Sequence, residues 1–306
     1  MRVLVTGASG FCGTHLLRKL NQEGVEIFTH GPEQAISGVW YNTPIEDLDQ
    51  LTAVINQARP DFVLHLAGIA NTAHFPHYYL VNTLYAANLL RSLELANLET
   101  VPVLLVGTSA EYGMVTDADL PITEDLPARP YNHYGISKLA QTGLGLEVAK
   151  AGRSIVIARP FNIIGPGMSP QLVVQSIARQ IVSIQNGAQP PVIKIGNLAS
   201  SRDFVDVHDV VGVYWRLVQT PAAYGEIVNV CSGVPVSIRA IVDQLIEIAG
   251  IPIDVEVDPE RVKPVDVPQH FGSTEKLKRL TGFIPARSLI DTLQEVLSQW
   301  GSGDQG

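Results

Sequence analysis

Short apolar runs separated by helix-forming stretches constrain this 306-residue chain more than any other feature. Phe62 to Leu66 and Val103 to Val106 are almost wholly apolar. Strands of that composition are buried on both faces, which requires a parallel sheet covered by helices. Arg2 to Val5, Val25 to Thr29 and Ser154 to Ala158 read as further strands. Thr14 to Gln22, Asp47 to Ala58, Tyr78 to Ala96 and Tyr134 to Ala151 read as the helices between them. In the first helix Leu16, Leu17 and Leu20 share a face, and Gly24 is the stop. The alternation predicts an α/β fold built on a doubly wound parallel sheet.

After Pro160 the pattern is irregular. Helices are expected over Leu172 to Gln185, Val207 to Val218, Val236 to Ile248, Ser273 to Thr281 and Ser288 to Trp300, with strands at Val192 to Ile195 and Glu226 to Val230. This predicts a Rossmann-type α/β domain over 1–163, with 204–230 returning to it. A smaller interleaved α/β substrate lobe takes 164–203 and 231–306, ending in a frayed tail. A formal charge of −9, from 21 basic and 30 acidic residues, opposes wholesale binding to nucleic-acid phosphates. No apolar run approaches the roughly 20 residues of a membrane helix. The N-terminal residues read as a strand rather than a signal peptide, so a cytoplasmic protein is expected. Cys12 and Cys231 make neither a disulfide framework nor a zinc site. His74 and His77 are three apart, but Pro76 speaks against a helix there and no third ligand is near in sequence, so no metal is expected.

Thr6-Gly7-Ala8-Ser9-Gly10-Phe11-Cys12-Gly13 joins the first strand to the first helix. Gly7 permits a tight turn, Gly10 a close approach of pyrophosphate to the backbone, and Gly13 the packing of helix on strand. The helix N-terminus adds amide donors and a positive dipole end. A glycine pattern alone is only a turn; its place between strand and amphipathic helix points to a dinucleotide. The second strand ends Phe28-Thr29-His30-Gly31, with no carboxylate to grip an adenosine 2′-hydroxyl and no arginine to attract a 2′-phosphate. NADP or NAD is therefore expected, with NADPH used at least as well as NADH.

Tyr134 and Lys138 form Tyr-x-x-x-Lys at a helix start, one turn apart on one face. An ammonium beside a phenol favours phenolate and lowers the tyrosine pKa from about 10. Such a tyrosine can pass a proton to or from a substrate oxygen. The spacing alone also fits a surface pair. Gly107-Thr108-Ser109-Ala110-Glu111-Tyr112-Gly113, however, follows an apolar strand and places hydroxyls at the carboxyl edge of the sheet, where open α/β folds bind ligands.

These pieces, with His65-Leu66-Ala67-Gly68 and Arg159-Pro160-Phe161-Asn162, resemble the extended short-chain dehydrogenase/reductase family of NAD-dependent epimerase/dehydratase type. The resemblance implies that Tyr134 is the acid/base, that Lys138 lowers its pKa and holds the nicotinamide ribose, and that Thr108 hydrogen-bonds the reacting oxygen. It further implies a cofactor site of Gly7, Ser9, Gly10, Phe11, Cys12, Gly13, His30, Leu66, Ala67, Gly68, Asn82 and Pro160, together with Tyr134 and Lys138. It also implies a homodimer in which the helices at Tyr78 to Ala96 and Tyr134 to Ala151 pair across a two-fold axis. Ala86, Ala87, Leu90, Leu139, Leu146 and Ala149 would supply the contacts.

Ser201-Arg202-Asp203-Phe204-Val205-Asp206, Asn229-Val230-Cys231-Ser232-Gly233 and Arg261-Val262-Lys263-Pro264-Val265-Asp266 are similar to the branch of GDP-mannose 4,6-dehydratases and GDP-4-keto-6-deoxy-mannose reductases. That similarity implies a nucleotide-sugar substrate held by Ser109, Ala110, Glu111, Asn162, Val173, Lys194, Arg202, Arg261, Lys263 and Asp266. For Lys263 and Asp266 a solvated loop is the other reading. Dehydratases of this kind place an acid two residues before the tyrosine of the Tyr-Gly pair; here that residue is Ala110. Glu111 is one residue late, and on a strand one residue reverses the direction. The implied reaction is NAD(P)H-dependent reduction of a 4-keto-6-deoxyhexose, GDP-4-keto-6-deoxy-D-mannose to GDP-D-rhamnose. A nucleotide-sugar 4-epimerase, a GDP-mannose 4,6-dehydratase and a cofactor-sensing binding protein are the rivals.

Overall fold

The computed structural model describes residues 1–262 and 267–301. β1 (Arg2–Thr6) runs into α1 (Phe11–Gln22), then β2 (Glu26–His30), β3 (Val39–Tyr41), α2 (Leu48–Ala58) and β4 (Phe62–His65). Next come α3 (Pro76–Tyr79), a π-helical turn at Leu80–Leu84, α4 (Tyr85–Leu95), β5 (Val103–Val106), α5 (His133–Lys150) and β6 (Ile155–Pro160). The second half carries β7 (Asn162–Ile164), α6 (Val173–Gln185), β8 (Val192–Ile195), β9 (Ser201–Asp206), α7 (Val207–Val218) and β10 (Ile227–Val230). It ends with β11 (Pro235–Ser237), α8 (Ile238–Ala249), β12 (Asp254–Val257), β13 (Gln269–His270), α9 (Glu275–Thr281) and α10 (Leu289–Gly301).

Seven parallel strands in the order β10-β6-β5-β4-β1-β2-β3 form the main sheet. The strand order reverses between β1 and β4, and open α/β sheets bind ligands outside the carboxyl ends at such a point. Leu16, Leu17 and Leu20 of α1 pack with α7 on one face of the sheet. Leu51 and Ile55 of α2 and Leu89 and Leu93 of α4 cover the other face. The doubly wound sheet expected from the apolar strands is what forms.

A second sheet, β11-β9-β13 with β7 on β9, and a β12-β8 pair make the smaller lobe. Its core joins Ile177 and Ile181 of α6, Ile241 and Leu245 of α8, and Leu293 and Val296 of α10. Three assignments differ from those expected: β7, whose Asn162 and Ile163 were expected in the first domain, pairs with β9 of the smaller lobe. β9 belongs to the smaller lobe, so the chain returns to the main layers at α7 rather than at residue 204. α9, expected in the smaller lobe, sends Leu277 into the core beneath the main sheet. Pro76, expected to break a helix, opens one at its first position, where its missing N–H is no loss.

Asp203 of β9 ties the turn that follows β10 to the turn that precedes α9. It is fully buried and accepts from the Ser232 amide and hydroxyl, both at 2.7 Å, and from the amides of Gly233 at 2.9 Å and Gly272 at 3.2 Å. Replacement by alanine strands these buried donors, and each unsatisfied donor costs about 1–3 kcal/mol. Asp203→Ala is therefore expected to lower unfolding free energy by about 3 kcal/mol or more in a urea titration. A loss below about 1 kcal/mol would count against the clamp.

Candidate active site

The first crossover is held together by backbone contact. A Cβ at Gly13 would lie 2.2 Å from the Gly7 carbonyl oxygen, and one at Gly7, whose φ is +68°, would lie 2.6 Å from the Ala67 nitrogen. α1 therefore starts directly over the edge of β1. Gly10 is its N-cap and uses no side chain for capping. A Cβ on Gly10 would meet only the Gly7 oxygen, at 3.3 Å. The loop floors a cavity of about 840 Å³ that also takes in Ser9, Phe11, Cys12, His30, Leu66, Ala67 and Gly68. That volume lies within the range of cofactor pockets. The glycine cradle and the α1 amides fit a dinucleotide pyrophosphate.

At the adenosine end, His30 is bonded through Nδ1 to the Tyr85 hydroxyl and through Nε2 to Thr43 Oγ1 at 2.8 Å. Burial pushes its pKa down to about 4, with the Thr43 backbone opposing. His30 is thus neutral at pH 7 and supplies no cation for a 2′-phosphate. No Lys, Arg, Asp or Glu lines this cavity among the described residues. Asn82, expected on the cofactor, is fully buried and turned to the protein. Its carbonyl accepts from the Ile69 amide at 2.8 Å, and its amide donates to Ile69 O at 3.0 Å and Ser137 Oγ at 2.9 Å. It shapes the 67–69 loop rather than facing the cavity. Pro160 ends β6 and is buried.

Tyr134 and Lys138 sit in the first turns of α5, which Asn132 caps by accepting from the Gly135 amide at 2.8 Å. Gly135 lets the helix approach the turn after β5; a Cβ there would meet Ala110 O at 2.9 Å. Thr108 opens that turn, and its side chain acts on the Tyr134 phenol, lowering its pKa. The three expected catalytic side chains therefore converge at the carboxyl edge of the sheet.

Their electrostatics differ from expectation. Burial pushes the Tyr134 phenol up despite Thr108, and Glu111, Cys12 and Tyr78 push the same way. The Lys138 ammonium is itself buried, and that burial lowers it to about 8, with Glu111 opposing. It donates to Val106 O at 2.9 Å, Gln141 Oε1 at 3.1 Å and Ala67 O at 3.5 Å. A lysine this occupied does not offset the desolvation of the phenol. Gly68 leaves room for it, since a Cβ there would fall 2.9 Å from Nζ.

Glu111 is not a substrate residue. It lies in a 3-10 turn, Ser109–Glu111, where the alternation of a strand does not apply. It is fully buried and pairs with Arg159 at 2.7 Å. Ser109 is also buried, and Ala110 adds only a methyl. The expected substrate residues Asn162, Val173, Lys194, Arg202 and Arg261 line a second cavity of about 480 Å³. A neighbouring cavity of about 510 Å³ shares Ser176, Gln180, Lys194 and Arg261 with it, and adds Arg179 and Glu256. Among the described residues, four cations line the two cavities in a chain of net charge −9. Arg179 and Gln180 were missed because α6 reads as an ordinary amphipathic helix. Arg202 donates to Val267 O at 2.7 Å, and Arg261 pairs with Asp258 at 3.2 Å. Lys263 and Asp266 lie outside the described residues.

Near the mouth, His133 stacks on Phe75 at 4.8 Å and bonds the Tyr79 hydroxyl at 3.0 Å. His74 and His77 meet edge-on at 5.6 Å. Asp206, His208 and Glu295 cluster elsewhere, but Arg287 bonds both carboxylates and Thr292 also donates to Asp206. No helix among the described residues is long and apolar enough to cross a membrane.

A Rossmann sheet with a glycine cradle, a Tyr-x-x-x-Lys pair and a second lobe defines an NAD(P)-dependent enzyme class. Residues 3–231 match the NAD dependent epimerase/dehydratase family. GDP-6-deoxy-D-mannose reductase of Pseudomonas aeruginosa is 35% identical over 306 residues, covering 98% of this chain and 97% of that protein. GDP-6-deoxy-D-talose 4-dehydrogenase of Aggregatibacter actinomycetemcomitans is 29% identical, covering 96% and 97%. The structure of RMD from Pseudomonas aeruginosa with NADPH superposes with a TM-score of 0.84 at 31% identity, covering 99% of this chain and all of that one. The chain belongs to the NAD-dependent epimerase/dehydratase family, the extended short-chain dehydrogenases/reductases.

Burial of the site makes the fold acid-sensitive. His65 is buried and pushed down to about 3 by desolvation, then by the charges of Lys138 and His30. For His30 and His65 the folded pKa lies below the unfolded value near 6.5, so the unfolded chain binds protons first as pH falls. Their stabilisation is complete above pH 6.5 and is lost progressively below it. From pH 7 to 5 each should cost about 2 kcal/mol. His65→Asn should flatten that part of the pH–stability curve in denaturant titrations; an unchanged slope would contradict the assignment.

Proposed function

We propose that this enzyme reduces the 4-keto group of a nucleotide-linked 4-keto-6-deoxyhexose, GDP-4-keto-6-deoxy-D-mannose being converted to GDP-D-rhamnose. The observation that carries this reading is the placement of Glu111. A phenol and a hydroxyl converge at the sheet edge, while the carboxylate beside Thr108 is locked to Arg159. Reduction of a ketone needs one proton donor. Elimination of water across C5 and C6 needs a further acid/base, worth typically 10²–10⁴-fold, and Ala110 stands where it would be. The name of the Pseudomonas relative, a GDP-6-deoxy-D-mannose reductase, points the same way, and that of the Aggregatibacter relative points to redox chemistry at the 4-position of a GDP-6-deoxyhexose.

The α1 amides, with Ser9, His30 and the 66–68 loop, would hold the dinucleotide. A reduced nicotinamide supplies the hydride. Tyr134, kept protonated by burial, donates its proton to the C4 oxygen, and Thr108 hydrogen-bonds the same oxygen. Lys138, one helical turn further along α5, would hold the nicotinamide ribose through its ammonium. Lys194, Arg179, Arg202 and Arg261 offer cations to the diphosphate.

NADPH should be consumed with GDP-4-keto-6-deoxy-mannose at least as well as NADH, since among the described residues no carboxylate lines the adenosine end to repel a 2′-phosphate. GDP-mannose alone should give no 4-keto product. Tyr134→Phe should lower kcat by at least about 10³-fold, near the upper part of the range for acid–base groups, while cofactor affinity stays within about threefold. Rapid 4-keto product would instead indicate a dehydratase, and turnover without added reduced cofactor an epimerase.

We also propose a homodimer through α4 and α5; of the expected contacts, Ala87 and Leu139 are half-buried and open to a partner. Ala86 and Leu90 are buried inside the protomer, and Leu146 and Ala149 pack on its core. Leu95 of α4 and Ile136 of α5 are exposed large apolar side chains, as is Leu84 in the turn before α4. Light scattering at micromolar concentration should give a dimer, and Ile136→Glu a monomer. A wild-type monomer would contradict the assembly, and a dimeric Ile136→Glu the face.

A further inference from the structure

The turn that carries Thr108 is anchored at its far end by a charge pair that the reaction derived above does not use. Glu111 is wholly buried and Arg159 is 2% exposed. Glu111 Oε1 accepts from the Thr108 amide at 2.9 Å. Its Oε2 accepts from Arg159 Nε at 2.9 Å and Nη2 at 2.7 Å, and from the Thr142 hydroxyl at 2.8 Å. The Arg159 guanidinium lies 4.7 Å over the Tyr112 ring, whose hydroxyl donates to Asn229 Oδ1 at 2.7 Å. The turn is thereby tied to α5, β6 and β10. Gly107 provides the space, since a Cβ there would lie 2.4 Å from Glu111 Oε1.

Stability is a weak reason to keep such a pair. Desolvating two charges is expensive, and apolar groups of the same shape often do as well or better. What distinguishes this pair is its company. Thr108 reaches it through its amide, and Thr142 lies one helical turn beyond Lys138 on α5.

We propose that Glu111, held by Arg159, is a positioning residue for the reduction. It fixes the Thr108 turn against Tyr134 and balances the buried charge of Lys138. This rests on the roles given above to Tyr134, Thr108 and Lys138. The groups around Lys138 are Glu111, the amide of Gln141 on α5, and His65 on β4, whose own proton affinity Lys138 depresses. Tyr134 faces Thr108, Cys12, Tyr78 and Glu111. Neutralising Glu111 leaves the Arg159 cation in place and removes the group that sustains the Lys138 charge against burial. Lys138 then sheds its proton at lower pH, and the activity that needs it declines earlier on the alkaline side.

The test is the pH dependence of kcat and kcat/KM for the whole enzyme with NADPH and GDP-4-keto-6-deoxy-mannose. Glu111→Gln should move the alkaline limb down by about one pH unit, the low end for an adjacent opposite charge. Glu111→Asp keeps the charge but shortens the reach. Its limb should stay near that of the wild type while kcat falls about tenfold or more, as a loosened Thr108 misplaces the reacting oxygen. Glu111→Gln with Arg159→Gln removes both charges and should recover at least about half of the limb shift. A folded Glu111→Gln enzyme with the wild-type profile, or with an equal loss at every pH, would overturn the proposal. If Glu111→Gln does not fold, an unreduced kcat in Glu111→Asp overturns it, and a lowered kcat with an unmoved limb supports it. Full activity in Tyr134→Phe would discard the functional reading itself, and this proposal with it, whatever the Glu111 profiles.

Discussion

The close approach of α1 to the strands beneath it sets the geometry of everything above the sheet. The chain can turn from β1 into α1 over the carboxyl edge only because no side-chain carbon stands between Gly13 and the Gly7 carbonyl, or between Gly7 and the Ala67 backbone. The free amides of the helix start then point across the reversal in strand order. The same logic recurs at Gly68, which leaves room for the Lys138 ammonium, and at Gly135, which lets α5 sit against the turn that carries Thr108. Absent methyl groups thus place cofactor cradle and catalytic group on one edge.

Charge is arranged as tightly as space. Lys138, Arg159 and Glu111 are all buried within one neighbourhood, leaving one net positive charge under the site. Desolvation dominates there. It raises the phenol of Tyr134, lowers Lys138, and keeps His30 and His65 neutral. The phenol is therefore held as a donor, the state that ketone reduction requires. The cations lining the second-lobe cavities lie on α6, β8 and β9 and beside β12, well separated in sequence from the Tyr-x-x-x-Lys segment.

The central strands could be read from sequence because burial on both faces leaves an apolar run. β3 and β12 could not, because both lie at sheet edges and most of their residues are exposed. The glycine loop, Tyr134, Lys138 and Thr108 were legible because spacing and strand context fix their positions. Glu111 was expected on the substrate by resemblance alone, and the 3-10 turn buries it against Arg159 instead; parity along a strand, the argument against it as an acid, does not extend into such a turn. Asn82 was placed at the right edge, but a π-helical turn directs it into the protein. For the dimer face, α5 is apolar on several sides, so its sequence does not say which side the protomer covers. The Arg159–Glu111 pair joins residues 48 apart, and no local pattern announces it.

The most direct measurement of the central claim is isotope transfer. The enzyme would be given GDP-4-keto-6-deoxy-mannose and a reduced nicotinamide deuterated on the transferred position, and the sugar product examined by NMR. The account predicts one deuterium at C4 of a 6-deoxy sugar for each cofactor oxidised, with none at C5 or C6. Deuterium absent from C4, or product formed without oxidation of added cofactor, would contradict it.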